Sequence, residues 1–218
     1  MSHTGPSVTV RPAERDERHA AAQLLATAFM HDPLIVVATD AASDPRASRE
    51  AIFGASIVGT LQSGGELVLA ERAGAIIGAA LIADPQRGTA ARAIRSVIAR
   101  LISGVRFLAL APRLAPGALQ HLNDADLASR RLAPENPHHV LVAVGVTESA
   151  RGLGVGRQLV EHAVARAWRD RRSWGVRLET ENPGNVDRYA RWGFTSLGVV
   201  PLQHFDVHVM AKASGQRD

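Results

Sequence analysis

The sequence predicts an α/β fold of the α+β type, a mixed and mostly antiparallel sheet flanked by helices. Three observations lead there. Two apolar runs over residues 66–70 and 75–83 read as a hairpin; a nearly all-apolar run over 140–146 feeds a glycine-rich turn and a helix; and the chain ends in strand, short helix and closing hairpin. With 218 residues and 46% hydrophobic content the chain is long enough for one full core. A single domain over residues 1–213 is expected, followed by a polar tail over 214–218.

Taken in order, residues 8–11 predict a short first strand. Ala21, Leu24, Leu25, Ala28 and Phe29 then recur at helical spacing, and Asp32-Pro33 predicts the end of that helix. A second helix is expected over residues 46–61, and Ser63-Gly64-Gly65 is a turn signal before the hairpin, whose own turn is Arg72-Ala73-Gly74. Over residues 84–137 the pattern changes: Ile94, Val97, Ile98, Leu101, Ile102 and Val105 form a helical stripe, and prolines follow at 112 and 116, so this stretch reads as a helical insertion closed by Pro134 and Pro137. The apolar run at 140–146 predicts a strand buried on both faces. Beyond it come a helix marked by Leu159, Val160, Ala163, Val164, Ala167 and Trp168, a strand at 176–180, a short helix at 186–192, and strands at 195–200 and 204–210.

Composition narrows the chemistry. There is no cysteine, which excludes disulfides, thiolate nucleophiles and cysteine-bound metal, and no metal site is predicted. No uninterrupted apolar run of about twenty residues and no secretory signal pattern occur, so a cytoplasmic protein without membrane partners is expected. The sequence pI near 10.8 overstates the positive character: the formal charge is only +4, and Lys212 is the sole lysine. The arginines lack interleaved aromatics, so no nucleic-acid partner is predicted.

The most informative stretch is Val144-Gly145-Val146-Thr147-Glu148-Ser149-Ala150-Arg151-Gly152-Leu153-Gly154-Val155-Gly156, a strand feeding a glycine-rich turn that opens a helix. Glycines let backbone approach an oxyanion, and the first-turn amides and helix dipole favour negative charge there. Arg151, Gly154 and Gly156 match the spacing [RQ]-x-x-G-x-[GA], which resembles the coenzyme A pyrophosphate loop of the GNAT acyltransferase superfamily. Residues 178–189, LETENPGNVDRY, with Gly193-Phe194, resemble that family's N-x-x-[AN]-x-x-x-Y-x-x-x-G-F segment. The LETENP form, together with Val10-Arg11-Pro12-Ala13 and Phe29-Met30-His31-Asp32-Pro33, is similar to the branch containing puromycin-type N-acetyltransferases. The resemblance does not reach residues 84–137, the insertion expected, with the first two helices, to shape the acceptor site.

The resemblance implies a sheet splayed after the strand that ends at Val146, with the pantetheine arm along the backbone of Val144, Gly145 and Val146. It places pyrophosphate on the amides of Gly152, Leu153, Gly154, Val155 and Gly156 beside Arg151, and gives Asn182 and Asn185 either a coenzyme contact or a turn-forming role. It also implies direct transfer of acetyl, or a longer acyl group, from acetyl-CoA to a primary amine, a small molecule or antibiotic rather than a protein amine. The protein would act as a monomer or homodimer. Tyr189 occupies the position whose hydroxyl lies near the coenzyme sulfur. An alkylammonium of pKa about 10.4 must be deprotonated at a cost of roughly 5 kcal/mol at pH 7, and candidates for the base are His138, His139, Glu179, Glu181 and Glu148.

Two other readings stay open at this level. Gly152-x-Gly154 followed by Glu179 has the outline of a dinucleotide-binding oxidoreductase, although Arg157 stands where a third small residue belongs. The chain could also be a coenzyme A-binding sensor or interaction domain without turnover.

Overall fold

The computed structural model describes residues 7–85 and 108–215. The chain begins with β1 (Thr9–Pro12) and α1 (Arg18–Ala28), followed by α2 (Pro33–Thr39) and α3 (Pro45–Gln62). The hairpin β2 (Glu66–Arg72) and β3 (Ala75–Ala83) comes next, then α4 (Ala118–Arg131) and β4 (His139–Val146). The remainder is α5 (Val155–Arg169), β5 (Gly175–Thr180), α6 (Pro183–Arg191), β6 (Thr195–Pro201) and β7 (Asp206–Ala213). Seven strands form one sheet in the order β1-β2-β3-β4-β5-β7-β6. Every pairing is antiparallel except β4 with β5. The expected mixed, mostly antiparallel sheet flanked by helices is the one found.

Alternation along the strands sorts the core onto two faces. Leu67, Leu69, Ala79 and Leu81 pack with α1, α2 and α3 through Leu25, Ile35, Phe53 and Ile57. Val68, Ala70, Ala80 and Ile82 pack on the opposite face with Leu159, Val160 and Ala163 of α5 and with Tyr189 and Phe194. Gly145 of β4 is required by this packing, because a Cβ there would stand 2.7 Å from Ala28 Cβ and 3.1 Å from Leu25 Cδ2.

Three sequence expectations are modified. Asp32-Pro33 does follow the end of α1, but it also starts a helix: Asp32 caps α2 by accepting a hydrogen bond from the Ile35 amide at 3.3 Å, and Pro33 is its first residue. In the 84–137 stretch α4 was not foreseen. Its buried residues are Ala118, Ala125, Ala128 and Ser129, too small to mark an apolar stripe, and Ala125 and Ala128 meet Val207 and Val209 of β7. The predicted Ile94 to Val105 stripe lies outside the described residues.

The third change concerns β4, expected to be buried on both faces. Its register against β3 slips so that Leu81 faces Ala143 and Ile82 faces Leu141, leaving Val142 as an extra, bulged residue that is 40% exposed. Leu141 therefore packs on the α5 face and Ala143 on the α1 and α3 face. The bulge coincides with the end of the parallel pairing, since β4 meets β5 only at His139, Val140 and Leu141. From Val142 to Val146 the strand stays paired to β3 alone, and the sheet opens toward β5.

Candidate functional site

The opening between β4 and β5 leads into a cavity of about 600 Å³. Its strand walls are Leu141, Val142, Ala143 and Val144 of β4 and Glu179 and Thr180 of β5, continued by Glu181. Phe29, Ile52, Phe53, Leu119 and Leu122 supply an apolar wall, and Asp32, Asn185 and Tyr189 reach in from the remaining elements. This volume lies within the range of about 300–1,000 Å³ usual for small-molecule sites.

Tyr189 sits on α6, which Asn182 caps by accepting from the Gly184 amide at 2.9 Å. Its ring is fixed edge-on by Trp192 at 5.6 Å and Phe194 at 5.8 Å, and it is 8% exposed. Burial pushes its phenol up to about 12 against the opposing charge of Arg188, with Asp32 and Glu181 adding smaller upward effects. At neutral pH the hydroxyl is a hydrogen-bond donor and not a phenolate.

The carboxylates are the strongest electrostatic feature. Glu181 is buried, and its pKa rises well above the carboxylate range, first through burial and then through the charges of Asp32 and Glu179. Among the described residues no side chain is bonded to it. Burial likewise raises Asp32 to about 6 against the opposing hydrogen bonds from the Ile35 and Leu34 amides. Glu179 is held by Arg177 at 3.0 Å.

The glycine-rich turn lies at the β4 end of this opening. Gly152 and Gly154 have φ of 81° and 77°, the left-handed region that favours glycine, and a Cβ built at either would meet nothing within 4 Å. Residues 151–154 are exposed. The amides of Gly152, Gly154, Val155, Gly156 and Arg157 make no hydrogen bond among the described residues, the first helical one in α5 being from Gln158 to the Gly154 carbonyl. Such a cluster of free, converging N–H groups at the start of a 15-residue helix suits a phosphate oxyanion.

The other predicted site residues are distributed as follows. Val144 lines the cavity, Val146 is partly buried beside Gly156, and Asn185 lines the cavity while donating to Thr180 Oγ1 at 3.2 Å. His138 and His139 do not line it. His139 is 1% exposed, its Nδ1 shares a hydrogen with Ser173 Oγ at 3.0 Å, and its Nε2 is 3.6 Å from Asp84 on the α5 side. His138 accepts from Arg177 Nε at 3.3 Å and bonds the Asn136 carbonyl at 2.8 Å through Nδ1. Glu148 is an exposed residue of the turn after β4. Asp32 carries a sequence signal only as a helix stop and as part of the resemblance over residues 29–33, and Leu119, Leu122, Asn123, Asp126 and Arg130 of α4, which lie within the 84–137 insertion, have no individual sequence signal.

The comparisons with known proteins agree with this geometry. The model of the Acetyltransferase (GNAT) family matches residues 35–194. The chain belongs to the GNAT acetyltransferase family. Solved GNAT-fold structures superpose over nearly the whole chain. A structure described as histone acetyltransferase HPA2 and related acetyltransferase, from Corynebacterium glutamicum, is 23% identical with a TM-score of 0.65, covering 97% of this chain and 98% of that one. The Drosophila melanogaster polyamine N-acetyltransferase is 18% identical with a TM-score of 0.56, covering 95% and 100%. The yncA protein of Salmonella typhimurium, solved with its cofactor acetyl-CoA, is 16% identical with a TM-score of 0.54, covering 97% and 96%. No curated protein sequence matches the chain.

As a GNAT member the protein is an acetyltransferase that uses acetyl-CoA. Its residues fit that molecule: free amides at a helix start suit the pyrophosphate, and an unpaired strand edge suits the pantetheine amides. Among the described residues no group of His, Asp and Glu side chains could hold a metal ion, and no single helix is long and apolar enough to cross a membrane.

Proposed function

We propose that the protein is a cytoplasmic N-acetyltransferase that moves an acetyl group from acetyl-CoA directly to the primary amine of a small molecule. The observation that carries this reading is the β4–β5 opening, which leads into a cavity lined by Tyr189 and Glu181 and is bordered by a strand that runs on into the glycine-rich turn with its free amides. A cavity of this size, walled by side chains from α2, α3 and α4, favours a small acceptor over a protein chain. The sequence of residues 178–186 further supports membership of the branch that contains puromycin-type enzymes.

In this reading Gly152, Leu153, Gly154, Val155 and Gly156 offer amides to the pyrophosphate, Arg151 adds its charge, and Val144, Gly145 and Val146 offer backbone to the pantetheine. Bound acetyl-CoA supplies an activated thioester. The protein's part is to manage protons. An acceptor ammonium loses two protons on becoming an amide: Glu181, in its carboxylate form, takes one before the nitrogen attacks the acyl carbon. The other leaves as the carbon–sulfur bond breaks and ends on the departing thiolate, with Glu181 afterwards returning its proton to solvent. Tyr189 donates a hydrogen bond to the developing thiolate; with its phenol at about 12, transferring its own proton to a thiolate would be strongly uphill. Glu181 is favoured over His138 and His139 as the base because it lines the cavity and they do not.

Release of free thiol from acetyl-CoA, followed with a panel of small primary amines, tests this function. Acetyl-CoA should also raise the melting temperature while NAD leaves it unchanged. A shift with NAD alone would favour the dinucleotide reading, and coenzyme binding without thiol release across the panel would favour a non-catalytic sensor.

A further inference from the structure

Four carboxylates border the cavity, and they are not equivalent. Asp126 is matched by Arg130 at 2.7 Å, and Glu179 by Arg177 at 3.0 Å. Among the described residues Asp32 is bonded at its carboxylate only by backbone amides of α2. Glu181 is 8% exposed and has no side-chain partner among the described residues, although it faces the cavity. Glu181 is buried and Asp32 partly buried, and among the described residues neither is bonded by a cationic side chain, so a single ammonium is the group that would match this pair in its charged form. One wall of the cavity is apolar: Phe29 and Phe53 face it with ring centroids 5.1 Å apart, joined by Ile52, Leu119 and Leu122, while Ser56, Asn123 and Asn185 add neutral polar groups elsewhere in the lining.

From this division we infer that the acceptor is a primary monoamine with an apolar body, its single ammonium held between Asp32 and Glu181 and its body against Phe29, Phe53 and the α4 leucines. Diamines and polyamines are then poor acceptors. A second ammonium on such a molecule would enter either the phenyl wall or the part of the cavity where each carboxylate already has an arginine. Asp32 anchors the ammonium, because its carboxylate is oriented by the start of α2; Glu181, free of partners, accepts the proton. This inference rests on the reading of the cavity as the acceptor site, and it adds the class of amine.

The test measures kcat/KM by thiol release from acetyl-CoA with 4-phenylbutylamine, 1,4-diaminobutane and spermidine. The first should exceed the other two by at least about 10-fold, the lower end of what burying a phenyl group is worth. Asp32→Asn should keep the helix cap, since asparagine caps as well as aspartate, while raising KM for 4-phenylbutylamine at least about 10-fold with KM for acetyl-CoA unchanged. Arg130→Ala, which leaves Asp126 unmatched at the rim, should improve 1,4-diaminobutane relative to 4-phenylbutylamine by several-fold. Equal or better turnover of the diamine or spermidine by the parent would overturn the monoamine class while leaving the acetyltransferase function standing. An unchanged KM in folded Asp32→Asn would overturn the anchor. Thiol release with none of the three, when another amine is turned over, would also overturn the class; release with no amine at all would overturn the function and this inference together.

Discussion

Replacing Glu181 by glutamine removes a proton acceptor while keeping nearly the same shape in a buried position. At pH 7 a substrate ammonium of pKa about 10.4 lies roughly 5 kcal/mol from its reactive neutral form. Burial and the neighbouring charges of Asp32 and Glu179 raise Glu181 toward that value, which narrows the gap across which the proton moves. A positioned base is worth about 100- to 10,000-fold, and Glu181→Gln should lower kcat by that order at pH 7. The loss should shrink about 10-fold per pH unit on approaching pH 10, because an amine that arrives neutral needs no base. The groups facing Glu181 are Asp32, Glu179 and Tyr189. Of these Tyr189 stays protonated across the range, and Glu179 is paired with Arg177 at 3.0 Å. The assay is thiol release at saturating acetyl-CoA between pH 6 and 10. Parent-like kcat at pH 7 in a folded variant, or a loss that does not depend on pH, would refute the role given to Glu181.

The same variant makes a stability prediction of definite sign. A carboxyl raised in the folded state binds its proton more tightly there than in the unfolded chain, so its contribution is favourable below the ordinary carboxylate pKa and is lost as pH rises toward the folded value. Glu181→Gln should therefore melt above the parent at pH 8, with the difference shrinking toward pH 4. Tyr189→Phe should keep KM for acetyl-CoA and lower kcat by roughly 10- to 1,000-fold, the order for losing one donor to a developing charge; parent-like turnover would mean that the ring only packs against Trp192 and Phe194. Gly154→Val, at φ 77°, should cost about 1–2 kcal/mol of stability through its left-handed backbone and abolish the thermal shift by acetyl-CoA; a retained shift would make the turn purely structural. Gly145→Ala should lower stability by roughly 1–3 kcal/mol in urea unfolding, because its Cβ would enter contact at 2.7 Å with Ala28.

Most of the sheet was legible because its strands carry their own signal. The β2–β3 hairpin is a pair of apolar runs around Arg72-Ala73-Gly74, and the order of strand, glycine turn and helix around Gly152 survives almost unchanged. Legibility failed where one residue type serves two purposes. Asp32-Pro33 ends one helix and begins another, and only the position of the Asp32 carboxylate over the Ile35 amide distinguishes a stop from a cap. It failed also where burial uses small side chains: α4 hides alanines and a serine, whose removal from water is worth too little to impose a visible period.

The candidate base shows why the site was harder to read than the fold. His138 and His139 stand at the start of the strand that borders the opening, so sequence order makes them neighbours of the chemistry. Strand alternation puts His139 on the same face as Leu141, toward α5, where Ser173 and Asp84 occupy its ring nitrogens. The β4 residues that line the cavity, 141–144, surround the bulge at Val142, which shifts the parity of β4 by one where its pairing with β5 ends. No local pattern announces that slip, since Val140, Val142, Val144 and Val146 read as an unbroken strand. Glu181 lies just past the end of β5 and acquires its raised pKa from burial and from Asp32, a residue 149 positions earlier in the chain. The proposed base thus owes its character to a long-range neighbour, brought to it only once β4 and β5 have parted and α2, α3 and α4 have assembled around the gap.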